Sequence, residues 1–169
     1  MKPSSIGILV LVVLGSCYFI DFGVPEPDPI FYTEYTPVIL TRAQLESAIR
    51  WEAKREINVP AKIYTKDHLI FISEQYEGIH VIDNRNRYTP VNTGFIRIPG
   101  CVDMAMKENI LYADNATDLI ALDLSDMQNI RVVKRIKNTF PELSPPDAGV
   151  LPDNYRNRSE NLIIVGWEK

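Results

Sequence analysis

The chain has 169 residues, of which 46% are hydrophobic and 24% charged, a composition typical of a globular domain of ordinary size. Its 22 acidic and 18 basic residues are scattered along the sequence and give a net charge of −4. Because the sequence has no basic run and no interleaving of basic with aromatic residues, it lacks the usual footprint of a nucleic-acid-binding surface, and no nucleic-acid partner is expected.

The N-terminal segment contains a strongly apolar run. Lys2 supplies a positive charge, residues 6–14 form the apolar stretch, and Gly15 and Ser16 provide small residues at its end. This order is typical of a secretory signal. The apolar run 6–20 is shorter than the ~20 residues that a membrane-spanning helix requires. We therefore expect cleavage, and an uncleaved anchor is the alternative.

The end of this run, Leu14-Gly15-Ser16-Cys17, resembles the lipobox of bacterial lipoproteins. The resemblance implies that residues 1–16 are a lipoprotein signal peptide, removed before Cys17, and that Cys17 is the site of lipid attachment. Membrane contact would then be made through the N-terminal lipid, since more than one acyl chain anchors stably. The implied location is the bacterial cell envelope, with the protein anchored to the outer membrane and either periplasmic or surface-exposed. A plain cleaved signal is the competing interpretation.

Residues 17–40 are predicted to form a tether, because Pro25, Pro27, Pro29 and Pro37 favour extended backbone. A short helix and a strand are predicted within residues 41–59. Thr41 and Gln44 have the spacing of a capping box, which predicts a helix over residues 42–49. The loosely alternating residues 49–57 predict the strand.

An internal repeat of about 40 residues follows, with its first copy at 60–100 and its second at 101–140. Residues 66–72 align with 107–113 in a register of 41, and residues 79–83 align with 119–123 in a register of 40. Each copy contains four apolar segments separated by turn residues, which is typical of a strand meander. The predicted strands are 61–65, 68–73, 78–83 and 92–98 in the first copy, and 102–106, 109–114, 118–124 and 131–137 in the second.

The fold class predicted from this repeat is all-β: a partial β-propeller of about two four-stranded blades plus the start of a third. The middle strands are almost continuously apolar, which indicates cover on both faces, and 40–45 residues is a familiar propeller period. A β-sandwich is the competing all-β architecture, but it does not predict the self-similarity. Residues 141–160 are assigned to a proline-rich loop and 161–169 to the start of a further blade. Because propellers close with 4–8 blades, we expect the chain to be part of a longer product, and the alternative is that another chain covers its open side.

Residues 79–83 (IHVID) and 119–123 (LIALD) resemble the LVIVD-repeat family, whose consensus lies in the third strand of each blade. His80 and Ala121 depart from that consensus. The closer likeness is to lipidated members from Bacteroidetes, and it covers about residues 41–169. The resemblance implies a propeller and an envelope location, but no reaction.

Burial predictions follow from the blade assignment. Apolar strand residues should lie between sheets, and charged turn or strand residues should face water. The side chains predicted to be buried are Leu69, Phe71, Ile82, Leu111, Tyr112 and Leu122, and those predicted to be exposed are Glu74, Lys107 and Arg131. Cys101 is expected to be a small buried residue without a disulfide partner.

The sequence contains no clear catalytic or metal-binding constellation. The run 114–118 lacks the spacing of a calcium loop, and His68 and His80 have no Cys or acid at ligand spacing. Asp83 and Asp123 recur at strand ends, which indicates a structural role in turns. We therefore expect no catalytic residue, metal or cofactor. The expected function is non-enzymatic binding or scaffolding of an unknown protein or glycan partner. The alternative is a propeller-based hydrolase or lyase that acts on an envelope or extracellular carbohydrate or peptide, with an active site in blades outside this sequence.

Overall fold

The computed structural model describes residues 29–169, so the signal segment, Cys17 and the first part of the tether lie outside the described residues. Within that range the protein is all-β, as predicted, with three antiparallel sheets, none of them closed, and two short helices. The strands are β1 (Thr36–Thr41), β2 (Arg50–Glu52), β3 (Pro60–Lys66), β4 (Leu69–Glu74), β5 (Gly78–Asp83), β6 (Val91–Arg97), β7 (Met104–Lys107), β8 (Ile110–Asn115), β9 (Asp118–Asp123), β10 (Arg131–Ile136) and β11 (Leu162–Glu168). The helices are α1 (Arg42–Ser47) and α2 (Asp153–Arg156).

The two sequence repeats form two meanders of four strands each. The first sheet has the order β2-β6-β5-β4-β3, so that β2 adds a fifth strand at its edge, and the second has the order β10-β9-β8-β7. Each of the eight segments predicted to be strands in the two copies corresponds to an observed strand, with bounds within two residues of those predicted. The strand predicted over residues 49–57 is shorter than expected, because the backbone leaves the sheet after Glu52 and crosses towards the β4–β5 turn.

The repeat is also visible in the backbone and hydrogen bonds of the turns. Asp67 and Glu108, which are equivalent by the register of 41, have φ of 53° and 54°. Asp83 accepts the backbone N–H of Arg85 at 3.0 Å, and its equivalent Asp123 accepts that of Ser125 at 2.9 Å. The predicted structural role of these two aspartates at strand ends is thereby confirmed.

The main core lies between the two meanders. One face of the first sheet contributes Phe71, Ile79, Val81 and Ile96, and the second sheet contributes Leu111, Ala113, Ile120 and Leu122. All eight side chains are almost completely buried. At ~25 cal/mol per Å² of apolar surface, such side chains dominate the folding free energy of a domain of this size.

The third sheet joins the two ends of the described chain. Strand β1 pairs with β11 in antiparallel register, from Thr36 opposite Glu168 to Thr41 opposite Leu162. Strand β1 occupies the end of the range that the sequence assigns to the tether. Strand β11 falls in the range assigned to a further blade, and its partner in the structure is β1. A small core of Leu45, Ala116, Ile163 and Val165 holds this sheet against α1 and the β8–β9 turn.

Helix α1 begins with the predicted capping box. The Thr41 hydroxyl accepts the backbone N–H of Gln44 at 3.3 Å, and the Gln44 side chain accepts the backbone N–H of Thr41 at 2.8 Å. These bonds satisfy two donors that a helix start leaves unpaired. The helix ends at Ser47, two residues before the predicted end. Its single fully buried side chain, Leu45, points into the small core.

The burial predictions are confirmed for five residues and wrong for two. Phe71, Leu111 and Leu122 are buried, and Lys107 and Arg131 are exposed, while Leu69 and Ile82 are half-buried. Tyr112 is 37% exposed, because it lies on the face of the second sheet that points away from the first. Glu74 is buried instead of exposed, because the segment after β2 folds over it.

Candidate functional site

A cleft of about 800 Å³ lies between the third sheet and one end of the first meander. One wall is formed by side chains of β1 and β11, including Val38, Leu40 and Trp167. The other wall is formed by residues 55–59, the β4–β5 turn and the residues that follow β6. We call this cavity the inter-sheet cleft. Its walls combine aromatic rings with several charged side chains, and ligand sites use such polar groups to fix the orientation of a ligand.

Two arginines and a glutamate form the charged part of the cleft. Arg55 donates to the Glu77 carboxylate at 2.9 Å, and the Arg97 guanidinium lies 3.7 Å from the same carboxylate. The Arg55 guanidinium also lies over the ring of Phe95, 3.8 Å from its centre, in a cation–π contact. Arg55 is therefore held by two contacts, and Glu77 remains half-exposed at the surface of the cleft.

A buried carboxylate and an imidazole lie beneath this charged part. The Glu74 carboxylate is 3.0 Å from Nε2 of His80 and accepts the backbone N–H groups of Asn58 and Val59. Burial raises the pKa of Glu74, but the hydrogen bonds from Val59, His80 and Asn58 together outweigh it, so this pKa lies below its usual range. The carboxylate therefore stays charged and holds residues 58–59 onto the sheet.

This pair was not predicted from the sequence, although the sequence contains a signal for it. Glu74 lies opposite Gly78 and Ile72 lies opposite His80, so Glu74 and His80 are diagonal neighbours on one face of the hairpin. The signal is the polar His80 within the apolar strand β5, six positions after the acidic Glu74 and across a tight turn. His80 is fully buried and packs edge-on against Phe95 at 4.8 Å, which leaves its ring no access to a substrate in the cleft.

Trp167 provides an unpaired donor in the wall of the cleft. Its side chain is 8% exposed, and its Nε1 has no hydrogen-bond partner in the part of the protein that the structure describes. A buried indole N–H usually finds a partner, and its desolvation without one costs free energy. The nitrogen is itself fully buried, so this N–H is not open to a ligand in the cleft.

The acidic run 114–118 is occupied by contacts within the protein. Asp114 accepts the backbone N–H groups of Val102 and Asp103, both at 2.9 Å, and its pKa is raised by burial, against those hydrogen bonds. Asp118 is fully buried and accepts from Arg42 at 2.6 Å and Arg135 at 2.7 Å. Burial raises the pKa of Asp118, but the two arginines outweigh it and lower the pKa below its usual value. These carboxylates hold the second meander to its neighbouring segments.

The histidine His68 and the cysteine Cys101 lie apart from the cleft. His68 is exposed, and its Nε2 contacts Arg85 at 3.1 Å and not the buried His80. Cys101 is buried, as predicted, and burial raises the pKa of its thiol well above the usual value. Cys17 lies outside the described residues. Within residues 29–169, no group of three or more His, Cys, Asp or Glu side chains is arranged to hold a metal ion.

Comparison with known proteins gives no relative: no protein-family model, no curated protein and no solved structure matches the chain. Among the helices of residues 29–169, none has the length and apolar character needed to cross a bilayer.

Proposed function

We propose that the protein is a lipid-anchored envelope protein of the LVIVD-repeat type, in which two propeller blades and the third sheet form a binding module. The lipobox-like Leu14-Gly15-Ser16-Cys17 supports attachment through Cys17. The two meanders, which repeat in sequence, turn geometry and hydrogen bonding, support the blade assignment. In this arrangement the tether places the folded part, and with it the inter-sheet cleft, beside the membrane surface.

The ligand that best fits the cleft is a glycan of the envelope. Sugar rings pack their C–H faces on aromatic side chains, and their hydroxyl groups bond to carboxylates, guanidinium groups and indole N–H groups. The cleft offers the partly exposed rings of Tyr35 and Tyr76, the half-exposed Glu77 and the neighbouring Arg97. The observation that carries the proposal is the Glu77 carboxylate, which is half-exposed in this cleft and held between Arg55 and Arg97. A sugar hydroxyl that donates to this carboxylate would form a charge-assisted hydrogen bond.

Binding is favoured over catalysis because the two groups best suited to proton transfer do not face a ligand. His80 is fully buried, and the Glu74 carboxylate is engaged by His80 and two backbone N–H groups. A general base must lie within hydrogen-bond reach of the proton that it removes.

Glycan arrays that include peptidoglycan fragments and bacterial surface polysaccharides, probed with the full-length protein in neutral detergent, test this function. We expect binding that falls about tenfold in Glu77→Gln, which keeps the shape of the side chain but loses the charged acceptor. Glu160→Gln, at an exposed position outside the cleft, is the control and should bind as the wild type does. Equal binding by Glu77→Gln and the wild type would contradict the assignment of the cleft.

A further inference from the structure

The two meanders pack against each other through faces that are not equivalent in the repeat. The first sheet presents Phe71, Ile79, Val81 and Ile96, whose repeat equivalents in the second sheet are Tyr112, Leu119, Ala121 and Ile136. The second sheet presents Leu111, Ala113, Ile120 and Leu122, whose equivalents in the first are Ile70, Ile72, His80 and Ile82. Both equivalent faces lie outside this interface.

The outward face of the second sheet is open and largely apolar, with one charged side chain, Lys134, opposite Ala121. Tyr112 is 37% exposed and Ile136 48%, whereas their equivalents Phe71 and Ile96 are 1% and 0% exposed. Two depressions of about 510 and 230 Å³ lie on this face, both of them bordered by Tyr112 and Leu119. Residues 140–144 form one rim of the larger depression. We call this surface the groove face.

The outward face of the first sheet is sealed at one end and open at the other. At the sealed end, Arg55 covers Phe95, and the backbone of residues 58–59 covers Glu74. At the open end, Ile63 is 67% exposed, and Ile70, Ile72 and Ile82 are half-buried. These four residues, on the adjacent strands β3, β4 and β5, form what we call the isoleucine strip.

We propose that the groove face binds the isoleucine strip of a second copy of this chain. The contact would repeat the one that joins the two meanders within a chain, because Tyr112 and Ile136 take the places of Phe71 and Ile96, and Ile70 and Ile82 take those of Leu111 and Leu122. Such a contact is heterologous, so it leaves one groove face and one strip free at the ends of each pair and can extend to a ring or a filament.

Charge at the rim of the interface supports this pairing. Lys62 and Asp103 are equivalent by the register of 41 and form an ion pair between the meanders, with Nζ 2.6 Å from the carboxylate. In the contact between copies, the positions exchange roles: Asp103 of one copy would face Lys62 of the other. Opposite charges therefore face each other in both contacts, within the chain and between copies, and no like charges meet at this position.

Two surface variants, mixed with each other, test the proposal. Full-length chains with two different affinity tags are mixed in neutral detergent, and recovery of one by the other is measured. Tyr112→Glu places a charge on the groove face, and Ile63→Glu places one on the strip. Each variant mixed with itself should be recovered at least about tenfold less than the wild type, since each lacks one half of the contact. Tyr112→Glu mixed with Ile63→Glu should recover wild-type levels of a pair, because the intact groove of one meets the intact strip of the other.

Tyr88→Glu is the matched control, because Tyr88 is 96% exposed in the loop between β5 and β6, and it should associate as the wild type does. Ile136→Glu replaces the groove variant if Tyr112→Glu fails to give a cooperative thermal unfolding transition. The proposal is overturned if wild-type copies do not recover each other, if either variant associates with itself at the wild-type level, or if mixing the two variants restores nothing. Because every sample carries the same N-terminal segment, that segment cannot produce the difference.

Discussion

The carboxylate of Glu74 and the ring of His80 lie 3.0 Å apart on the face of the first sheet that points away from the second. The same carboxylate accepts the backbone N–H groups of Asn58 and Val59, and Gln75 donates its backbone N–H to the Val59 carbonyl at 3.0 Å. The segment after β2 is thereby attached to the edge of the hairpin. This contact shapes one wall of the inter-sheet cleft.

Substitution of Glu74 by Gln should destabilise the protein by about 1–3 kcal/mol near pH 7, because a charged acceptor for three donors becomes a neutral one. The pKa of Glu74 is lowered in the folded state, so its contribution is complete above the ordinary carboxyl pKa and is lost as the pH falls through the folded value. The difference between wild type and Glu74→Gln should therefore shrink on acidification to about pH 3. Urea unfolding at both pH values measures it. Glu160→Gln, at an exposed position, is the control, and a difference independent of pH would contradict the assigned role.

Replacement of Asp118 by Asn should cost about 3–5 kcal/mol, because it leaves Arg42 and Arg135 without the buried carboxylate that both contact. Chemical denaturation gives the free energy of unfolding. Asp126→Asn, an exposed aspartate in the loop before β10, should change stability by no more than about 0.5 kcal/mol. Similar effects for the two variants would show that the arginines find other partners.

Leu111→Ala should cost about 2–5 kcal/mol, because Leu111 is completely buried in the core between the meanders. The neighbouring Tyr112 points to the opposite face and is partly exposed, so Tyr112→Ala should cost clearly less. Thermal or urea unfolding of the two variants makes the comparison within one strand. A loss within about 0.5 kcal/mol for Leu111→Ala would contradict the packing of the two meanders.

Lipid attachment at Cys17 predicts that a metabolically incorporated fatty-acid analogue labels the wild type but not Cys17→Ala. The chain has two cysteines, and the second, Cys101, is buried with a raised thiol pKa. Cys101→Ala should therefore retain the label. Equal labelling of Cys17→Ala and the wild type would end the lipoprotein hypothesis.

Local signals predicted most of the secondary structure. The strands of both meanders and the capped helix α1 follow from apolar runs, turn residues and the Thr41–Gln44 spacing, all of which act within a few residues. The repeat also extends to the turns, because the equivalent residues Asp67 and Glu108 have nearly the same positive φ. These features could be predicted because they depend on interactions between residues that are close in sequence.

The features that the sequence did not reveal depend on contacts between distant segments. Tyr112 is equivalent to Phe71, but its exposure depends on whether another sheet covers it, which the repeat alone does not state. Glu74 resembles a solvated turn residue until residues 58–59 are placed over it. The inter-sheet cleft exists because β1 pairs with β11, and no local sequence pattern predicts that pairing.

The pairing of β1 with β11 has a consequence for the order in which the protein folds. The two meanders are built from hairpins, whose strands meet soon after they are synthesised. Strand β1 is among the first described segments to emerge, yet its partner is the last of the described strands, so closing this sheet carries the largest loop-closure entropy among the described sheets. Until then β1 is an unpaired edge, open to pairing with other chains. During folding the hazard of misassembly is therefore concentrated in the sheet that follows the tether.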